Sequence, residues 1–155
     1  MLKGIDPLLT ADLLWVLASM GHGDDVALVD ANHPAERIAR ATASGRLVRL
    51  PGLPMARAVR AILSAMPLDD DSSESVRRML VAGASDDWPD VQCEVRTEVS
   101  RAMRDPGSIG GIERFAFYEA AKAAFAVVQV GDPRPYGCFL LRKAVITGQR
   151  PRIDD

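Results

Sequence analysis

Hydrophobic residues near the start of the chain recur at the spacing of an α-helix. Leu13, Leu17 and Met20 fall on one helical face, and Thr10 precedes them as a residue that can accept a hydrogen bond from the free N–H groups of a first turn. Gly21 follows, at the position where many helices end on a left-handed residue. The pattern therefore predicts a first helix over residues 10–20.

The next hydrophobic segment has the continuous character of a buried strand. Val26, Ala27, Leu28 and Val29 are all apolar, and Asp30 ends the run. Strands that are covered on both faces show such unbroken runs. We therefore expect a strand over residues 26–29 in the interior of a sheet.

Helices and strands continue to alternate along the rest of the chain. The same criteria predict helices over residues 35–41, 54–66, 88–103 and 118–125, and strands over 47–50, 76–82, 112–115, 126–130 and 139–141. A polar connector over residues 69–74 and a glycine-rich turn over 106–111 interrupt the pattern, and the tail over 149–155 is expected to be flexible. This alternation predicts α/β layering with a largely parallel sheet.

Composition and charge exclude several classes of protein. The 155 residues are 48% hydrophobic with a formal net charge of -2, which fits one compact domain and leaves no basic surplus for nucleic-acid phosphates. The sequence shows neither an apolar run of the ~18–20 residues that a membrane span needs nor a signal-peptide pattern. Cys93 and Cys138 are expected to be reduced thiols. We therefore expect a cytoplasmic protein that binds neither nucleic acid nor membrane and has no metal site.

His22 lies between two glycines, just after the first predicted helix and just before the buried strand. Histidine gives and takes protons at physiological pH, so His22 is the first candidate for general acid–base chemistry. It could equally be an exposed loop residue or a charge partner of the helix C-terminus.

Polar residues follow the end of the buried strand in Asp30-Ala31-Asn32-His33-Pro34. Ligands of open α/β sheets bind outside the carboxyl ends of strands, which makes Asp30 a candidate for substrate binding and Asn32 a possible contact. Both could instead cap the next helix or fix a turn. His33 is a possible contact at the rim of a site.

Two further segments carry candidate ligand contacts. Arg114 presents a planar fork of donors that suits two neighbouring sugar hydroxyls or a carboxylate, although a neighbouring glutamate could pair with it at the surface. Tyr118 could contact a ligand or pack in the core, where we also expect Phe115 and Phe117. The segment 135–138 could bring a tyrosine ring and a glycine backbone to a ligand, or form a plain hairpin turn.

Taken in order, these segments resemble the RbsD/FucU family of sugar mutarotases. The resemblance is carried by residues 1–5 (MLKGI), 17–24 (LASMGHGD), 29–35 (VDANHPA), 114–119 (RFAFYE), 124–128 (AFAVV) and 136–145 (YGCFLLRKAV). It covers nearly the whole chain, with a looser match over residues 45–105. Arg-Phe-Ala-Phe-Tyr is a feature of the fucose-type branch.

The resemblance implies a single three-layer α/β/α domain over residues 1–148 that assembles into a ring-shaped homo-oligomer, commonly a decamer. It implies a reaction that interconverts the α and β anomers of a monosaccharide, most closely L-fucose. Such a reaction delivers a proton to the ring oxygen and removes one from the anomeric hydroxyl, with no cofactor required. The family's sites lie near subunit interfaces, so His33 or Tyr118 could belong to a neighbouring site.

The resemblance also assigns roles to individual residues. His22 matches the family's proton-donating histidine, and Asp30 and Arg114 match substrate-binding positions. Tyr136, Gly137 and Cys138 fall on its substrate-binding turn, and we include all three among the candidate substrate-binding residues.

Cys138 departs from the family, which usually has asparagine at this position. A thiol forms weaker hydrogen bonds than an amide, so a side-chain contact with the sugar would be lost, whereas a backbone contact would survive. This departure keeps a second function open, that of a non-catalytic monosaccharide-binding protein of a sugar uptake system. An isomerase or aldolase of open-chain sugars ranks last, because neither Lys122 nor Lys143 lies in a segment typical of a reactive lysine.

Overall fold

The computed structural model describes residues 2–69, 74–103 and 109–146. The predicted tail over residues 149–155 lies outside these residues, as do most of the connector over 69–74 and the first part of the glycine-rich turn over 106–111. Within the described ranges, no helix has the length and apolar character needed to cross a membrane.

The described chain alternates between helices and strands as the sequence predicts. In chain order the elements are α1 (Ala11–Ser19), β1 (Asp25–Val29), α2 (Ala35–Ala39), β2 (Leu47–Leu50), α3 (Met55–Leu63), β3 (Val76–Met79), α4 (Asp90–Ala102), β4 (Gly110–Ile112), α5 (Arg114–Lys122), β5 (Ala126–Val130) and β6 (Phe139–Arg142).

The strands form one sheet in the order β2-β5-β1-β6-β3-β4. β5 lies parallel to both β1 and β2, and β3 lies parallel to β4. β6 runs antiparallel to its two neighbours, β1 and β3. The prediction of an α/β domain with a largely parallel sheet is therefore confirmed.

Helices cover both faces of the sheet, which explains why the strands are so apolar. Leu13 of α1, Ile62 of α3 and Val95 of α4 pack over one face. Ile38 of α2 and Phe117 of α5 pack over the other face. The two faces with the sheet between them make three layers, and β1 is buried because it lies in the middle of the central layer.

The last helix begins earlier than the sequence predicts. An extended segment over residues 112–115 and a helix from residue 118 were expected, but β4 ends at Ile112 and α5 begins at Arg114. The Glu113 carboxylate accepts hydrogen bonds from the N–H groups of Phe115 at 2.8 Å and Ala116 at 3.1 Å. These bonds satisfy free donors of the first helical turn, so the helix starts directly after Glu113.

The earlier start changes which side chains of α5 face outward. Arg114 and Tyr118 are four residues apart in the helix and therefore lie on the same face. Phe117 is buried as expected, whereas Phe115 is 67% exposed, so its predicted place in the core is wrong.

Candidate active site

A cavity of about 290 Å³ lies at the edge of the sheet where the parallel strands end. Its walls come from the loop after β1, the end of β3, the start of α5 and the turn before β6. Because β6 is antiparallel, its first residues lie at the same edge as the last residues of its neighbours. The lining residues are Asp30, Asn32, His33, Met79, Arg114, Tyr118, Pro135, Tyr136 and Cys138. This is the edge at which open α/β sheets bind ligands.

The cavity brings together the predicted substrate-binding residues and all three possible contacts. Gly137, the one predicted binding residue that is not among the lining residues, donates its N–H to Asp30 Oδ2 at 3.1 Å. Met79 also lines the cavity and was missed in the sequence. A place at the end of a strand would have indicated Met79 as a candidate. The predicted strand over residues 76–82 ran past it, however, whereas β3 ends at Met79.

The Asp30 carboxylate is buried and anchors two loops. Its Oδ1 accepts a hydrogen bond from the Asn32 N–H at 2.9 Å, and its Oδ2 lies 3.5 Å from the Cys138 sulfur. Burial raises the pKa of Asp30, and the hydrogen bonds from Asn32, Cys138 and Gly137 oppose this rise. Asp30 therefore fixes the turn after β1, which was one of the alternatives predicted for it. It also lines the cavity.

His33 is a buried wall of the cavity, whereas the sequence suggested a rim contact. The residue is 7% exposed and packs against the rings of Phe117 and Tyr118, with centroid distances of 6.0 and 5.3 Å. Its Nδ1 lies 3.7 Å from the Cys138 sulfur, and its buried Nε2 has no hydrogen-bond partner among the described residues. Burial lowers the pKa of His33 to about 4, so the imidazole is neutral at pH 7.

Tyr136 has an unusual backbone conformation. Its φ of 62° makes it the one residue other than glycine with a positive φ in the described ranges. Such a conformation costs on the order of 1–3 kcal/mol and persists only where surrounding contacts hold it. The Tyr136 hydroxyl accepts a hydrogen bond from the Ala82 N–H at 3.3 Å, which leaves its own hydrogen available to a ligand.

Arg114 is exposed, and its side chain forms a hydrogen bond with the Tyr118 side chain. The Arg114 guanidinium group donates this hydrogen bond, which raises the pKa of Arg114. The glutamates that could have paired with Arg114 have other roles, since Glu113 caps α5 and Glu119 pairs with Lys122 at 2.6 Å. The exposed guanidinium group of Arg114 therefore lines the cavity with donors available to a ligand.

Cys138 lies deep in the site as a protonated thiol. Burial and the neighbouring Asp30 carboxylate raise the pKa of Cys138 well above its ordinary value. A protonated thiol is a poor nucleophile and a poor metal ligand. Among the described residues, no group of three or more His, Cys, Asp or Glu side chains is arranged to hold a metal ion.

His22 lies away from this cavity, at the opposite edge of the sheet. β1 has five residues, so ~17 Å of strand at ~3.3 Å per residue separates the loop of His22 from Asp30. The Gly23 N–H donates to the carbonyl of Lys143, which follows the end of β6, while the cavity lies at the start of β6. Within one chain, therefore, His22 does not reach the residues that line the cavity.

A tight turn presents His22 at the surface. The Asp24 N–H donates to the Gly21 carbonyl at 3.2 Å, and the Gly21 N–H donates to Asp24 Oδ2 at 2.7 Å. Gly23, with a φ of 84°, takes the left-handed position that was predicted for Gly21, so that prediction is wrong. His22 is exposed at the tip of this turn.

The fold and the cavity define an α/β protein with a small polar ligand site at the carboxyl edge of its sheet. Comparison with known families makes this specific: the chain belongs to the RbsD / FucU transport protein family, whose model matches residues 3–146. The resemblance seen in the sequence is thereby confirmed.

Individual relatives match the chain over nearly its whole length. It is 40% identical over 148 residues to the fucose mutarotase of Homo sapiens, and the match covers 94% of each protein. The crystal structure of the fucose mutarotase from Streptococcus pneumoniae in complex with L-fucose has a TM-score of 0.82 and 34% identity, covering 94% of this chain and 99% of that chain. The crystal structure of protein Atu2016 has a TM-score of 0.91 and 49% identity, covering 94% and 97%. These relatives place the chain with the mutarotases, a class of isomerases.

Proposed function

We propose that this protein interconverts the α and β anomers of L-fucose or a closely related pyranose. The observation that carries the proposal is the cavity, on which a carboxylate, a neutral imidazole, two phenols and a guanidinium group converge. Such a set of donors and acceptors matches the many hydroxyl groups of a monosaccharide. The likeness to fucose mutarotases supports the reaction and the choice of L-fucose.

The proposed reaction is acid–base catalysis of ring opening and closure. A proton is delivered to the ring oxygen while another leaves the anomeric hydroxyl, and the C–O bond of the ring breaks to give the open-chain aldehyde. Rotation of the aldehyde and the reverse transfers close the ring on the other face, so no proton or electron is gained or lost. We assign proton transfer to His22, hydroxyl binding to Asp30, and orientation of the ring to Arg114 and Tyr136.

The separation of His22 from the cavity supports a site shared between two copies of the chain. The edge that carries His22 also carries the exposed side chains of Val145 and Ile146, which are 55% and 74% exposed. The edge that carries the cavity exposes Phe115 beside Arg114. A head-to-tail contact between two such edges gives a ring when the rotation between successive copies closes on itself. We therefore propose a ring-shaped homo-oligomer, with a decamer as the expected size, in which each cavity receives His22 from a neighbouring copy.

Cys138 favours a second candidate function. A buried thiol stands between Asp30 and His33 at the position where the family usually has an amide. A cavity altered in this way could bind a monosaccharide without turnover, as an accessory protein of sugar uptake does. Measuring sugar binding and anomer exchange on the same protein separates the two functions.

Saturation-transfer NMR of anomer exchange, with L-fucose, D-ribose and D-galactose, tests the proposal. We expect exchange above the buffer rate, fastest for L-fucose, and expect His22→Ala to abolish it without changing the oligomeric state seen by size-exclusion chromatography. Thr97→Ala, on the exposed face of α4, is the matched control and should exchange like the unmodified protein. Binding without exchange would replace the enzyme by the accessory protein, and the absence of both would contradict both functions.

A further inference from the structure

Behind the cavity, a buried glutamine connects two of its walls. Gln92, in the first turn of α4, is 0% exposed. Its Nε2 donates to the carbonyl of Met79 at 2.8 Å and to the carbonyl of Tyr136 at 2.9 Å. Met79 ends β3 and Tyr136 lies in the turn before β6, so one side-chain amide bridges two backbone segments that line the cavity.

A buried arginine fixes the orientation of this amide. The guanidinium group of Arg78 donates to Gln92 Oε1 at 2.8 Å, to the Asp87 carbonyl at 3.0 Å and to the Ser85 carbonyl at 2.8 Å. It also stacks on the ring of Trp88 at 4.0 Å. Because a guanidinium group only donates, the amide oxygen must face Arg78 and both amide hydrogens must face the two carbonyls.

The hydrogen bond from Gln92 to the Tyr136 carbonyl helps to fix the orientation of a whole peptide group. The Tyr136 carbonyl and the Gly137 N–H belong to the same planar peptide group and point in opposite directions. Gln92 holds the carbonyl side of this group, and Asp30 Oδ2 accepts from its N–H side at 3.1 Å. Rotation of this one peptide would break both hydrogen bonds and would change ψ of Tyr136 and φ of Gly137.

We propose that Gln92 is a positioning residue of the sugar site, which fixes the Tyr136–Gly137 peptide and through it Tyr136 and Asp30. This inference rests on the proposed function, because Asp30 and Tyr136 are its sugar-binding residues. Gln92 touches no substrate: it acts only through the backbone groups that it holds.

Gln92→Glu tests the donors of this side chain without changing its size. A carboxylate still accepts from Arg78 but donates to neither carbonyl. We expect the Gly137 amide hydrogen, followed by NMR in the absence of sugar, to exchange with solvent at least about fivefold faster, as the loss of one net hydrogen bond implies. Val127, in the middle of the sheet, should keep its protection. The dissociation constant for L-fucose, measured by titration calorimetry, should rise by about the same factor.

Glu98→Gln is the matched control on the same helix. Glu98 is also buried in α4, but its carboxylate binds Arg60 and Arg101 on the side away from the cavity. Its loss should lower the stability of the fold and leave Gly137 exchange and L-fucose affinity unchanged.

Two results would overturn the positioning role. One is unchanged Gly137 exchange in Gln92→Glu, and the other is an equal acceleration in Glu98→Gln, which would show a general loosening of the fold. A third result is distinguishable from these: if the unmodified protein binds no L-fucose, the proposed function fails, while the exchange of Gly137 still decides whether Gln92 holds this peptide. A double variant with Tyr136→Phe completes the test, because the two effects on affinity should be less than additive if Gln92 acts through Tyr136.

Discussion

His22 and Asp30 lie at opposite ends of the same strand, β1. The sequence places them eight positions apart, which suggests two partners in one site. The extended strand between them instead holds them far apart, because each residue of a strand adds ~3.3 Å to the distance between its ends. A reaction that needs both residues at one sugar therefore needs two copies of the chain.

Mixed oligomers test this sharing directly. His22→Ala and Asp30→Asn should each be inactive when assembled alone. When the two variants are expressed together in equal amounts, about a quarter of the shared sites should receive both intact residues, because each site draws them from different copies. The anomer exchange rate of the mixture, relative to the unmodified protein, measures that fraction.

Two comparisons make the mixing result decisive. A mixture of His22→Ala with the double variant His22→Ala/Asp30→Asn contains no intact His22 and should stay inactive. If the mixture of single variants were also inactive although mass spectrometry showed mixed assemblies, sharing between copies would be wrong.

Replacing Cys138 by asparagine restores the family's amide in the cavity. The thiol lies 3.5 Å from Asp30 Oδ2 and 3.7 Å from His33 Nδ1, and an amide there can donate where the thiol does so weakly. We expect Cys138→Asn to lower the KM for L-fucose by about fivefold, the equivalent of one net hydrogen bond. Steady-state exchange rates across sugar concentrations measure this change.

Cys93→Ala is the control for the Cys138 experiment. Cys93 is the other cysteine of the chain and lies on α4, where its sulfur contacts the Trp88 carbonyl at 3.4 Å. It should leave the KM unchanged. If Cys138→Asn did the same, the sugar would be bound at this position through the backbone alone.

The buried His33 should make the fold sensitive to mild acid. Its pKa is lowered from 6.5 to about 4, so between these values the unfolded chain binds a proton that the folded chain does not. Stability is therefore complete above the unfolded value and is lost as the pH falls, by about 2 kcal/mol between about pH 7.5 and about pH 5. Asp30, whose pKa is raised by burial, acts in the opposite sense and offsets part of this loss.

Urea unfolding at the two pH values measures this effect. His33→Gln removes the titrating group, so the variant should lose less stability than the unmodified protein over the same interval. An equal loss in both proteins would mean that the buried imidazole is not its source.

Gly137→Ala tests how closely the turn before β6 approaches Asp30. A Cβ at this position would lie 3.3 Å from both Asp30 Cβ and Val91 Cγ2, so the neighbours must move. We expect a loss of about 1–3 kcal/mol of stability from overpacking, together with weaker binding of L-fucose because Asp30 is displaced. Gly21→Ala, whose Cβ would meet only Asp24 Oδ2 at 3.6 Å, should unfold at nearly the same urea concentration as the unmodified protein.

The sequence predicts the bounds of helices and strands well where a single local pattern of hydrophobic residues determines them. The strand over residues 126–130 is found with those bounds, because an apolar run interrupted by Gln129 alone has few alternatives in a sheet covered on both faces. The start of α5 was missed because it depends on the Glu113 side chain, which accepts from two N–H groups only once the helix has formed.

The members of the cavity were more predictable than their arrangement. Asp30 and Tyr136 could be selected because they lie at a strand end and in a turn that resemble a known family. Met79 was missed because the predicted strand ran past it, so its place at a strand end was hidden. Gln92 was missed because it is a polar residue on a helix face that packs inward. Contacts between distant segments, such as Gly137 with Asp30, are set by the order of strands in the sheet, which no local pattern encodes.

The antiparallel strand β6 joins the two parts of the proposed site in each copy. It starts directly after Cys138 in the cavity and ends beside Lys143, whose carbonyl accepts from Gly23 in the turn of His22. Side chains alternate between faces along a strand, so the insertion or deletion of one residue in β6 would turn Cys138 away from the cavity or shift Lys143 away from the turn. In the proposed ring, such a length change in one subunit would damage two sites at once: its own cavity and the neighbouring cavity that is proposed to receive its His22.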